Sequence, residues 1–223
     1  MKHEILYKPS YSLAVISLDR GEDITAEAGA MVSMSPSIRI ETKMRGGLLG
    51  GLARKFMGGE SFFLNTFRAE EPGEVTLAPA LPGDVVHLEL NNEVLMVQSG
   101  SYMACSTDIS IDTQWGGAKT FFSGEGLFLL RLEGKGDLFL SSYGAIHSKD
   151  LKNGEKYIVD TGHMVAFDQS VDYRVTRVGG LKSTLFSGEG LVVEMTGPGR
   201  VYIQTRSSDA FLSWLIPQLP RRR

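Results

Sequence analysis

The chain repeats one pattern of landmarks three times, and this repetition constrains the fold more than any other feature of the sequence. Each copy contains a glycine seven residues after a glutamate, and these anchor glycines are Gly29, Gly100 and Gly162. The dipeptides just before the glutamates are Arg20-Gly21, Asn91-Asn92 and Asn153-Gly154. Such dipeptides tolerate positive φ and close tight hairpins. Three copies in register predict a fold built from three similar units.

A second landmark, a Gly-Glu pair followed by an apolar run and a Gly-containing turn, also occurs once in each copy. The pairs are Gly59-Glu60, Gly124-Glu125 and Gly188-Glu189, and successive pairs lie about 65 residues apart. Both landmarks therefore recur in the same order in each copy. They divide the chain into repeats at approximately 11–75, 76–140 and 141–206.

Alternating apolar and polar residues within each copy indicate strands. Residues 38–44 alternate in this way, and the equivalent segments 109–115 and 171–175 do the same. A period of two is typical of half-buried strands. A unit of about 60 to 70 residues is seldom stable alone. We therefore predict an all-β chain of three tandem β-sandwich or barrel-like modules, packed about a pseudo-threefold axis.

Two segments depart from the repeat. Residues 207–216 predict one short helix, which Ser207 or Ser208 can cap and which Pro217 ends. Residues 217–223 then form a solvated tail. The other exception is the glycine-rich segment 46–59, which is longer than its counterparts in the second and third copies.

The segment 46–59 combines apolar and basic side chains and is the most function-like part of the sequence. Its candidate contact residues are Leu48, Leu49, Leu52, Arg54, Lys55 and Phe56. Glycines permit close approach, which favours packing against a neighbouring subunit or the core. Apolar insertion combined with basic charge would instead suit a membrane surface. Both interpretations stay open, and a ligand lid is a third.

Six glutamates recur at equivalent turn positions: Glu22, Glu60, Glu93, Glu125, Glu155 and Glu189. A ring of carboxylates can bind a cation. However, a residue kept in all three copies is explained by the folding of the unit itself, whereas an active site usually breaks the symmetry. We interpret these glutamates as structural residues that accept hydrogen bonds from backbone N–H groups of their own turns or lie in solvent beside them.

The remaining composition names no chemistry. A net charge of −3 and a pI of about 5.8 disfavour a nucleic-acid partner. Cys105 is the single cysteine, the four histidines are scattered, and nucleophile and P-loop motifs are missing. We predict no catalytic residue, no metal ligand and no cofactor. The first ten residues lack the apolar run of a signal peptide, so we expect a cytoplasmic protein.

Three segments carry a family resemblance: GGLLGGLARKFMGGESFF at 46–63, FFSGEGLFLLRLEGKGDLFLSSYG at 121–144 and SWLIPQL at 213–219. They resemble a bacterial and archaeal family of unknown function related to the altered-inheritance-of-mitochondria protein of the mitochondrial inner membrane. The resemblance spans about residues 5–217. It implies three modules similar to the trp RNA-binding attenuation protein (TRAP), assembled as a trimeric ring of nine modules. It brings no catalytic residues, and fold similarity does not bring RNA binding with it.

Three hypotheses for function follow. The first is a non-enzymatic homo-oligomeric scaffold or interaction protein, a homotrimer by the resemblance, with peripheral membrane association through residues 46–59 as an added hypothesis. The alternative is a small-molecule binding module with its ligand at module or subunit junctions. The third is an enzyme whose site is assembled across subunits.

Overall fold

Short runs of β-branched, aromatic and aliphatic residues separated by glycine and asparagine turns form strands along the chain. The structure, a computed structural model, describes residues 1–43, 63–112, 129–177 and 191–220. The strands are β1 (Lys2–Leu6), β2 (Leu13–Leu18), β3 (Asp23–Glu27), β4 (Met31–Met34), β5 (Ile38–Lys43), β6 (Leu64–Ala69), β7 (Gly73–Leu77), β8 (Val85–Gln98), β9 (Tyr102–Ser106), β10 (Ile109–Asp112), β11 (Leu129–Ser141), β12 (Ile146–Leu151), β13 (Lys156–Asp160), β14 (Met164–Asp168), β15 (Asp172–Arg177), β16 (Leu191–Thr196) and β17 (Gly199–Gln204).

Helical structure in the described residues is short. The helix α1 (Ser208–Leu215) lies near the C-terminus, and 3-10 turns occupy Ser99–Ser101, Thr161–His163 and Ile216–Gln218. None of the described helices is long and apolar enough to cross a bilayer. The predicted fold class is therefore confirmed at the level of a mostly β chain with one short C-terminal helix. The TRAP-like modules and their pseudo-threefold axis stay predictions.

The same four antiparallel pairings occur in three stretches of the chain, which we call the first (13–77), second (85–141) and third (146–204) stretches. In the first stretch β7 pairs with β2 and β4, while β6 pairs with β3 and β5. In the third, β17 pairs with β12 and β14, while β16 pairs with β13 and β15. In the second stretch, the long strands β8 and β11 each replace two shorter strands of the other stretches. They pair with each other, and β9 and β10 both pair with β11.

The turn dipeptides adopt the backbone conformation that their composition predicts. The second residue of each has positive φ: +87° at Gly21, +70° at Asn92 and +73° at Gly154. Glycine and asparagine populate this left-handed region more readily than other residues do. In the second stretch the dipeptide lies inside the long strand β8, so that the turn becomes a local irregularity of one strand.

The strands form three sheets in the described part of the chain. A ten-stranded sheet links all three stretches, a four-stranded sheet has the order β1-β2-β7-β4, and a three-stranded sheet has the order β13-β16-β15. Apolar side chains form three core clusters, which include Phe67, Tyr102 and Phe167 respectively. The buried members of the second cluster all come from the ten-stranded sheet. Cys105 belongs to the second cluster and is fully buried.

Candidate functional site

Strand pairing joins each stretch to the next in the same way. The strand that follows the second stretch's anchor glycine, β9, pairs with β3, which precedes the anchor glycine of the first stretch. Likewise β14 of the third stretch pairs with the second half of β8. Both junctions are antiparallel. Each one merges a sheet of one stretch with a sheet of its neighbour.

The two junctions also share one register when positions are counted from the anchor glycines. At each junction, the residue that lies four positions before one anchor glycine pairs with the residue that lies five positions after the next anchor glycine. These pairs are Thr25 with Cys105 and Met96 with Phe167. Cys105, Met96 and Phe167 are at most 1% exposed. The junctions are therefore packed like the protein core.

The strands that would form a third such junction are free. In the described part of the chain, β4 pairs with β7 alone and β13 pairs with β16 alone, so each lies at a sheet edge. Met34 lies five residues after Gly29, and Ile158 lies four residues before Gly162. Their side chains are 39% and 63% exposed, whereas Cys105 and Phe167, the counterparts of Met34, and Met96, a counterpart of Ile158, are buried. Thr25, the other counterpart of Ile158, is half-buried. We call β4 and β13 the free edges.

The three anchor glycines line one cleft of about 400 Å³. Residues from all three stretches contribute to its wall, including Ala30, Gln98, Ser101, Ser142 and Gln204. Its volume lies within the range of about 300 to 1,000 Å³ that is usual for small-molecule sites. The hypothesis of a ligand site at module junctions allowed for such a cleft, but it did not name these residues, since the glycines were recognised only as markers of the repeat.

Three of the six repeated glutamates lie in the described residues, and each accepts a hydrogen bond from a backbone N–H of its own turn. The donors are Asp19 to Glu22 (2.9 Å), Asn91 to Glu93 (2.6 Å) and Lys152 to Glu155 (2.9 Å). These hydrogen bonds are consistent with a structural role for the three glutamates in their turns. The structural role itself stays a prediction.

Hydrogen bonds and nearby cations stabilise the charged form of two of these carboxylates. The Asp19 N–H and then the N-terminal amine of Met1, which lies 3.0 Å from Glu22 Oε1, lower the pKa of Glu22. The Lys152 N–H and then the Lys149 ammonium lower the pKa of Glu155. Both groups are therefore ionised at neutral pH.

The other predicted site residues lie outside the described residues. They are Leu48, Leu49, Leu52, Arg54, Lys55, Phe56, Glu60, Glu125 and Glu189. Whether residues 46–59 contact a membrane or a neighbouring subunit thus stays a prediction from the sequence alone.

Histidines that are scattered in the sequence do not all stay apart in the structure. The rings of His3 and His87 lie 3.9 Å apart between centroids, and His87 Nε2 lies 2.7 Å from Asp137 Oδ1. Burial and then the neighbouring His87 lower the pKa of His3. His163 is separate and contacts the Gln204 carbonyl oxygen through Nδ1 at 2.7 Å. No local sequence motif marks the pair of His3 and His87, because the two residues come from different strands.

Comparison with known proteins identifies the family. The family model described as mitochondrial biogenesis AIM24 matches residues 3–206, which is most of the chain. The chain belongs to the AIM24 family. Its resemblance to the altered-inheritance-of-mitochondria proteins is thereby confirmed.

Two Streptococcus pyogenes proteins are similar to this AIM24-family chain over nearly its whole length. An uncharacterized protein of serotype M6 is 29% identical over 228 residues, covering 99% of this chain and 92% of that protein. The X-ray crystal structure of another S. pyogenes protein is similar with a TM-score of 0.81 and 28% sequence identity. That similarity covers 98% of this chain and 99% of the other. The two chains therefore share their fold.

Proposed function

We propose that this AIM24-family chain is a non-enzymatic scaffold that assembles with copies of itself, with β4 of one copy pairing with β13 of the next. The observation that carries the proposal is the exposure of Met34 and Ile158. At both internal junctions, the residue at the equivalent position has a cross-strand partner on the neighbouring strand. A second copy of the chain supplies the missing partner for each free edge.

The register of the internal junctions predicts which residues meet. Counting from the anchor glycines places Ile158 opposite Met34 and Val159 opposite Ser33. Unpaired strand edges readily accept another strand, because their N–H and C=O groups lack partners. Burying two large apolar side chains adds a hydrophobic contribution of about 1.5 to 3 kcal/mol for each side chain that becomes fully buried.

The two free edges differ from each other, so the contact is head-to-tail. Contacts of this kind close into rings when the rotation between copies allows it. Three chains is the number that the family resemblance implies. A ring of three would place nine stretches in one continuous circle, with no free edge of this type remaining.

Light scattering behind a size-exclusion column tests the assembly. We expect a mass of about 73 kDa, three times the 24.4 kDa of one chain. Met34→Asp and Ile158→Asp each place a charge in the proposed contact and should give monomers. Ile40→Asp is the matched control, since Ile40 is 40% exposed, close to the 39% of Met34, but lies on β5, outside the proposed contact. A monomeric wild-type chain at micromolar concentration contradicts the proposal.

Cross-linking separates pairing between copies from closure of β4 on β13 within one chain. In a Cys105→Ala background, Met34→Cys and Ile158→Cys should form a disulfide, because cross-strand neighbours lie within reach of one. Bands of two and three chains on a non-reducing gel are expected. A cross-linked single chain would instead show that the junction closes internally.

The cleft at the anchor glycines favours a second candidate function, the binding of a small molecule at the junction of the three stretches. Its volume and its mixture of apolar and amide side chains are typical of ligand sites. Native mass spectrometry of protein purified from its own host should show an added mass. Ala80→Trp, which fills the cleft, should remove that mass, whereas an unmodified mass in the wild type argues against this candidate.

A further inference from the structure

Two imidazoles and a carboxylate meet at one point on the surface, and they come from three different strands. His3 lies on β1, His87 on the first half of β8 and Asp137 on the second half of β11. One ligand atom from each of the three lies within 4.8 Å of the others. Among the described residues, no other group of three or more histidine, cysteine, aspartate or glutamate side chains comes close enough together to share an ion.

Strand register explains how two of the ligands meet. His87 on β8 is directly opposite Phe139 on β11. Asp137 precedes Phe139 by two residues, so both side chains project from the same face of β11. His87 and Asp137 are therefore diagonal neighbours on one face of the antiparallel pair, and their side chains approach to 2.7 Å.

The third ligand arrives from the facing sheet. Met1 and Ile5 pack on the first core cluster, which includes Phe139, and His3 shares their face because it alternates with Lys2 and Glu4. The His3 ring contacts Phe139 edge-on, with 5.2 Å between ring centroids. This packing holds the imidazole of His3 over that of His87.

The backbone is fixed at Asp137, and the side chains of Asp137 and His87 are open to solvent. The side chains of His87 and Asp137 are 23% and 24% exposed, so an ion can reach them. The backbone N–H of Asp137 donates to Ser106 Oγ at 2.9 Å, which fixes β11 at this point. The buried ring of Phe139 forms the apolar floor below both histidines.

We propose that His3, His87 and Asp137 form a binding site for a divalent transition-metal ion of the zinc class. Two imidazoles and one carboxylate are a ligand set that such ions accept, with a fourth position left to water. Two ligand atoms bound to one zinc ion lie about 3.3 Å apart in tetrahedral geometry. Rotation of the exposed His3 side chain and of the partly exposed His87 and Asp137 side chains supplies the remaining adjustment.

Isothermal titration calorimetry, in which Zn²⁺ is added to the full-length, tag-free protein, tests the proposal. We expect one ion bound per chain. His87→Ala and Asp137→Asn should weaken binding at least about tenfold, the smallest loss expected from damage near a metal. Asp137→Asn keeps the size of the side chain, so it distinguishes loss of a ligand from loss of the fold.

His147→Ala is the matched control, because His147 is an exposed histidine on β12, away from the three proposed ligands. It should bind Zn²⁺ as the wild type does. Titration with Co²⁺ provides an independent reading, since its visible absorption should change with the ligand set and be lost in His87→Ala. No binding by the wild type overturns the proposal, and so does equal binding by the wild type and Asp137→Asn. In either case the three residues would form only a hydrogen-bonded surface cluster.

Discussion

Met96 and Phe167 are cross-strand partners at the junction of the second and third stretches, and each side chain is 1% exposed. Phe167 also packs against Tyr173, with 5.0 Å between ring centroids. Phe167→Ala leaves a cavity in this junction, so we expect it to lower the free energy of unfolding by about 3 to 5 kcal/mol. Urea denaturation, monitored by circular dichroism, measures this loss of free energy.

Met34→Ala is the comparison for that measurement, because Met34 is the counterpart of Phe167 at the free edge. In the dissociated chain its exposed side chain should contribute less than about 0.5 kcal/mol. At higher protein concentration, where copies assemble, the cost should rise. A loss of several kcal/mol in the dissociated chain would show that Met34 is already packed within one copy.

Local features of the fold were predictable because they depend on residues close in sequence. The dipeptides ending in Gly21, Asn92 and Gly154 predicted turns, and all three residues have positive φ. The helix predicted for 207–216 is present at Ser208–Leu215. Backbone conformation at a turn or a helix cap depends on a few neighbouring residues, so the sequence specifies it directly.

The sites depend on contacts that the sequence does not display. His3, His87 and Asp137 are far apart along the chain, and their meeting depends on the register of β8 with β11 and on how β1 packs above them. The sequence also did not predict that the free edges, β4 and β13, lack a neighbouring strand. The strand containing Met34 has the same place in its stretch as the strand containing Phe167, and only the order of strands in the sheets shows that one lacks a neighbour.

Glu22 should make stability depend on pH. Its folded-state pKa lies below its ordinary value, so its contribution is complete above the unfolded pKa of about 4.3 and is lost as pH falls through the folded value. Glu22→Gln should cost at most about 1 kcal/mol at pH 7, because the group is partly exposed. Melting temperatures of the two proteins should converge as the pH approaches 3.

Glu74→Gln is the control for this series, since Glu74 is an exposed glutamate on the neighbouring strand β7. Its melting temperature at pH 7 should match that of the wild type. If the Glu22→Gln difference stayed constant down to pH 3, the ionised carboxylate would not be its source, and the turn would depend on the size of the side chain instead.

Ser207 caps the C-terminal helix. Its Oγ accepts a hydrogen bond from the Ala210 N–H at 3.4 Å, and the residue is 8% exposed. Ser207→Ala should reduce the stability of the helix by about 1 kcal/mol, whereas Ser208→Ala should not. Hydrogen exchange of the helix amides measures the difference, and equal protection in both variants would contradict the assignment of the cap.

Gly154 tests whether the turns of the three stretches are equivalent. A Cβ at Gly154 meets no atom within 4 Å, but φ is +73°, so backbone strain rather than packing opposes a side chain there. Gly154→Ala should therefore destabilise the protein by about 1 to 2 kcal/mol. Gly154→Asn should recover most of this loss, because Asn92 has φ of +70° at the equivalent turn of the second stretch. Urea denaturation of both variants distinguishes the outcomes: equal losses for alanine and asparagine would mean that the two turns place different demands on the chain.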